Sequence, residues 1–219
     1  MEQNSFSPEQ EENMTEQESL QIIQQMIQAA KQEQKDNGRG WIIWGWVLFA
    51  VSILTVLNIT FKWFNAAFFW NAFGILVLAW ILFTCIRYLF FRKTQPVKTY
   101  TGDIFQKLNI GFFISLGFII LAINLGVGPI KGFALLIALY GFWILIYGTA
   151  LNFKPSIIGA YVTWAIGFAA LFVHKVESVE INQFKWIMLL HALAALCGYI
   201  IPGHIANREF NKTKKIQPN

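Results

Sequence analysis

The stretch WIIWGWVLFAVSILTVLNIT, residues 41–60, contains no charged residue. Twenty such residues in a helix rise about 30 Å, which matches the hydrocarbon thickness of a bilayer. Within it polar and apolar residues do not alternate at period two, as the strand of a membrane β-barrel would require. A membrane-spanning helix is therefore expected here, and the same test can be carried along the chain.

Five further stretches of about membrane length carry at most one Lys or Arg each. They lie at about 67–91, 109–126, 132–150, 155–174 and 184–203. The whole 219-residue chain is 56% hydrophobic and only 13% charged, whereas a soluble domain has about 25% charged residues. The expected fold is all-α, a polytopic transmembrane bundle of six helices over residues 41–205. Read in order, the spans make three hairpins with short outer turns. A disordered acidic tail, 1–15, a cytoplasmic helix with a Gly-rich linker, 16–40, and a basic cytoplasmic tail, 206–219, complete the division. Residues 1–40 lack the basic start and apolar core of a cleavable signal, so the first span is expected to serve as its own.

Orientation is read from Lys and Arg. With the N-terminus inside, the cytoplasmic segments carry Lys31, Lys35, Arg39, Arg92, Lys93, Lys98, Lys107, Lys154, Arg208, Lys212, Lys214 and Lys215. Arg87 can snorkel to the same side. Only Lys62, Lys131, Lys175 and Lys185 fall outside. Both termini are thus expected in the cytoplasm. Trp41, Trp44, Trp46, Trp63, Trp70 and Trp186 suit interfacial belts, whereas Trp80, Trp143 and Trp164 are expected between helices. Gly141 and Gly148, Gly159 and Gly167, and Ala194 and Gly198 each place small residues on one helical face, which predicts close packing of spans four to six.

Chemistry in a membrane protein is usually marked by ionisable groups at depth. None of the twelve acidic residues falls in a span, which speaks against a proton- or cation-coupled transporter. His191 is the one ionisable residue near mid-membrane, and with Asn71 it forms the candidate intramembrane polar site. A neutral His191 bonded to a neighbouring helix is the preferred reading over a proton relay. His174 and His204 lie near opposite faces and cannot join it in a metal site. Cys85 and Cys197 both lie within spans and are expected as free, buried thiols. No nucleophile has a nearby base and no phosphate loop occurs, so neither an enzyme nor a bound cofactor or metal is expected. No nucleic-acid partner is expected.

The segment ESLQIIQQMIQAAKQEQK, residues 18–35, is the other candidate site. Leu20, Ile23, Ile27 and Ala30 recur at helical spacing and form an apolar stripe opposite a glutamine-rich face. Its basic residues come late, so lipid electrostatics would help it little. A pairing helix, for a protein partner or for self-association, is the leading reading. A helix folded under its own bundle comes next, and one lying on the inner leaflet last.

The opening helix running into GRGWIIWGWV, the segment YGTALNFKPSIIGAYVTWAIG at 147–167 and the ending LLHALAALCGYIIPGHI at 189–205 together resemble an uncharacterised family of small bacterial six-span membrane proteins. The resemblance implies a bacterial inner-membrane location and carries over no activity and no functional residues. The expected function is that of a non-enzymatic interaction, regulatory or accessory membrane protein in contact with the lipid bilayer. The alternative is a small transporter for a neutral or lipid-like solute.

Overall fold

The computed structural model describes residues 38–90 and 100–216. The tail 1–15, the helix expected at 16–36 with its stripe Leu20, Ile23, Ile27 and Ala30, and most of the loop after the second span lie outside the described residues. Apart from short turns, those described are helical, with no strand among them. Helix α1 runs Arg39–Phe61, α2 Phe68–Phe90, α3 Tyr100–Ala122, α4 Pro129–Ala150 and α5 Lys154–Leu171. A single turn, α6, covers Val173–Val176, followed by α7, Glu180–Ala195, and α8, Ile201–Ile216.

Four helical stretches are long and apolar enough to cross a membrane: Arg39–Phe61, Phe105–Val127, Pro129–Ala150 and Glu180–Lys212. Helix α2 has a shorter apolar stretch, Phe68–Phe83. Helix α5 is eighteen residues long and opens on Lys154 and Pro155, whose polar first turn lowers its average hydropathy. A proline there is suited to the first turn, where its missing N–H has no helical acceptor to serve.

Packing follows the small residues more than the hairpins. The most extensive contact is α4 with α5, and the next is α1 with α7. At Gly141 of α4 a side-chain carbon would fall 2.5 Å from Cδ1 of Trp164, so only glycine leaves room for that indole on α5. The indole N–H then donates to the Ala138 carbonyl, at 2.9 Å. Two turns further, Ser156 of α5 occupies the space over Gly148 and donates to the Ile144 carbonyl, at 3.3 Å. Such close approach gains dispersion contacts that lipid cannot offer.

Helices α2 and α3 are peripheral. Helix α2 packs on α1 and α3 on α4, and the two make little or no backbone contact with each other. Their outer faces carry large apolar side chains such as Ile75, Leu76, Ile114 and Phe118. Trp80, expected between helices, is 62% exposed on α2. The expectation fails because it took depth along the span as a sign of burial, and depth does not say which way a residue faces.

Two boundaries differ from the sequence reading. Helix α3 begins at Tyr100, nine residues before the apolar run, because the charges that end hydropathy do not end a helix. The chain after Pro202 is likewise helical to Ile216 rather than closing at the proline. The reason is a π-helical stretch, Leu196–Ile200, directly before it. Pro202 cannot donate to the Gly198 carbonyl and would crowd it. The π register, seen in the bond from Ile201 N–H to the Leu196 carbonyl, widens the helix and takes up the mismatch. The expected basic tail therefore starts as a helix that presents Arg208 and Lys212.

Gly38 sits at the start of α1 with φ 67°, a left-handed conformation that glycine adopts without strain. A side chain there would strike the Gly203 carbonyl and Ala206 of α8. The start of α1 and the start of α8 thus lie together at one end of the bundle.

Candidate functional site

His191 projects from α7 into the core and is 1% exposed. Its Nδ1 lies 2.9 Å from Ser52 Oγ of α1. The serine hydroxyl donates to the Leu48 carbonyl one turn back, at 2.8 Å. A hydroxyl has one proton, so Ser52 Oγ must accept from His191, which places the imidazole proton on Nδ1. Nε2 then holds only a lone pair, and it has no hydrogen-bond partner among the described residues. Around the ring stand Trp70 at 4.9 Å, Tyr140 at 5.6 Å and Phe133 at 6.1 Å between centroids, all edge-on. Trp70 is held in turn by its N–H donating to Met188 Sδ, at 2.7 Å.

Asn71 does not join this site. It follows Trp70 on α2, but its side chain is exposed while Trp70 points inward to His191. Successive positions on a helix point about 100° apart, so the neighbours face different ways. The stripe Leu20, Ile23, Ile27 and Ala30 lies outside the described residues. Cys197 is a free thiol, partly buried in the π stretch.

Two buried threonine hydroxyls serve their own helices. Thr55 donates to the Val51 carbonyl and Thr163 to the Gly159 carbonyl, both at 2.8 Å. Asn58 closes the turn between α1 and α2. Its amide donates to the Asn65 carbonyl and its Oδ1 accepts from Phe64 N–H, each at 2.8 Å. Among the described residues no three His, Cys, Asp or Glu side chains converge to hold a metal.

The sequence reading misses a second feature. A cleft of roughly 590 Å³ opens at the end of the bundle where the chain enters α1. Trp41 and Trp44 of α1 form one wall, and Trp143 and Tyr147 of α4 face them. Phe105, Gln106 and Asn109 come from α3, and Tyr199 forms part of the lining from the π stretch. Its volume is in the range of small-molecule sites, and no lining residue carries a formal charge.

Tyr199 links cleft and core. Its ring stacks on Trp41 at 5.0 Å and meets Tyr140 edge-on at 6.1 Å, and Tyr140 in turn borders His191. Trp41 also packs on Tyr147 at 4.4 Å. The Tyr199 hydroxyl is buried and has no partner among the described residues. A buried polar group left so costs about 1–3 kcal/mol, so His191 Nε2 and Tyr199 Oη are the two groups in this core with the strongest demand for a partner.

A signal for the cleft does exist in the sequence. Trp41 and Trp44 are three apart, Trp143 and Tyr147 four apart, and Gln106 and Asn109 three apart, so each pair shares a helix face. That these faces meet at one end of the bundle depends on helix pairing, which the spacing does not give.

Comparison with known proteins finds no family model that matches the chain, and no curated protein or solved structure that matches it.

Proposed function

We propose that the chain is a six-span protein of the bacterial inner membrane, with both ends in the cytoplasm, that works by binding as an accessory or regulatory protein. The observation that carries the binding reading is the contrast between the core and the cleft. Buried hydroxyls such as Thr55 and Thr163 are engaged by backbone carbonyls, whereas the large opening is uncharged and aromatic. Such a surface recognises by shape and stacking. Six spans follow from the six apolar runs. The shared end of α1 and α8 supports termini on one side, and the distribution of Lys and Arg supports the cytoplasmic one. The bacterial location rests on the family resemblance, and the protein partner is expected on the stripe Leu20, Ile23, Ile27 and Ala30.

The cleft also favours a second reading, passage of a neutral or lipid-like solute. Against it stands the layer of Trp70, Phe133 and His191, which would have to part for a path to continue.

The test is affinity purification of the full chain from native membranes, beside an Ile23→Asp, Ile27→Asp variant. A partner at fixed stoichiometry, lost in the variant, is the expected result. Recovery of the chain without a partner, together with an unchanged phenotype of the variant, would overturn the accessory reading. Solute flux into vesicles holding the chain alone would favour the second.

A further inference from the structure

The cleft fits one class of ligand better than others, and we infer that it seats a neutral lipid whose headgroup is a flat ring bearing carbonyl oxygens, as in a quinone. The inference rests on the binding reading above and goes on to name the ligand.

Four observations carry it. The first is charge. An anion would find no Lys or Arg in the lining, and a cation no Asp or Glu. A neutral ligand avoids both difficulties.

The second is shape. Trp44 and Trp143 come from different helices onto one cleft, and six of its nine lining residues are aromatic. Flat rings fill such a space by offset or edge-on packing, which contributes beyond area burial alone.

The third is the polar content of the wall. Asn109 brings an amide, and Tyr199 a hydroxyl that is buried and without a partner among the described residues. A plain acyl chain would leave both unanswered, whereas a carbonyl oxygen accepts from either. The Tyr199 hydroxyl lies beneath the cleft surface, so a side chain must shift for an oxygen to reach it.

The fourth is access. Helices α1 and α3 both line the cleft yet make little or no backbone contact with each other, so it has a way out toward lipid between them. An apolar tail can leave along the exposed face of α3 that carries Ile110 and Ile114.

The test uses the purified full chain in nanodiscs and decylubiquinone as the probe, with tryptophan emission as the readout and empty nanodiscs plus a soluble tryptophan as controls for collisional quenching. The expected result is saturable binding at one equivalent per chain. Tyr199→Phe, which keeps the ring and removes only the hydroxyl, should weaken binding about five- to tenfold, as should Asn109→Leu. Circular dichroism checks that both variants keep their helices. Non-saturable quenching equal to that of the controls would overturn the proposal, as would affinity unchanged in both variants. Equal competition by dioleoylglycerol or phosphatidylglycerol would overturn the ring-carbonyl class. Loss of the protein partner in the purification experiment would leave this result untouched, so the two readings fail separately.

Discussion

Ser52 Oγ of α1 and His191 Nδ1 of α7 meet at 2.9 Å in the core, the serine already donating to Leu48, so the histidine must be the donor. This one bond ties together the second most extensive helix pair in the molecule. Ser52→Ala removes the acceptor and strands a buried N–H, at an expected loss of about 1–3 kcal/mol. Ser52→Ala with His191→Leu removes both partners and should lose less than Ser52→Ala alone. Thermal unfolding in detergent measures the difference. A double variant that is well folded yet inactive would instead give His191 a functional role. Nitrogen NMR of the histidine ring checks the assignment directly, with the proton expected on Nδ1.

The fold was legible where a residue type has one physical use. Nearly uncharged runs of membrane length foretold the helices, and the glycines of span four foretold the close approach of Trp164 and Ser156. Trp80 was not legible, because a helix facing lipid and one facing protein are equally apolar. Pro202 was misread because the π stretch that accommodates it has no local signature. The His191 environment lay out of reach for a different reason: Ser52 is 139 residues away and nothing in either segment announces the other. The cleft depends on helix pairing, and its residues carry no charge to betray them.

The glycine of α4 opposite Trp164 should be intolerant of any side chain. At Gly141 an added carbon would lie 2.5 Å from the indole and 2.7 Å from its nitrogen, so the ring must leave the Ala138 carbonyl. Overpacking of this kind costs about 1–3 kcal/mol. At Gly74 of α2 an added carbon meets nothing within 4 Å. Gly141→Ala should lower the unfolding temperature clearly, whereas Gly74→Ala should leave it unchanged or raise it slightly through better helix propensity. Equal behaviour of the two would refute the packing account.

Asn58 holds the turn after α1 by both ends of its amide. Asn58→Ala leaves Phe64 N–H and the Asn65 carbonyl without that side chain, at a cost of about 1–3 kcal/mol. Asn58→Asp keeps an acceptor for Phe64 but sets a buried carboxylate oxygen against the Asn65 carbonyl, so it should be at least as destabilised as alanine. Protease sensitivity of the 62–67 turn in reconstituted vesicles should follow the same order. An aspartate variant more resistant than the alanine variant would place the effect in the Phe64 bond alone.

Topology can be decided by labelling from the two sides. The proposed six spans place Lys98 in a cytoplasmic loop and Glu177 in an outer turn. In a Cys85→Ala, Cys197→Ala background, Lys98→Cys should react with an impermeant maleimide only after the membrane is opened, and Glu177→Cys in intact cells. The helical count makes this a sharp test, because Lys98 and Glu177 are separated by three proposed spans and so must fall on opposite faces. If only the four helices long and apolar enough to span crossed the membrane, α5 would stay on one side, and the two crossings between Lys98 and Glu177 would leave both residues on the same face. Lys98→Cys and Glu177→Cys labelling from the same side would therefore overturn the six-span reading.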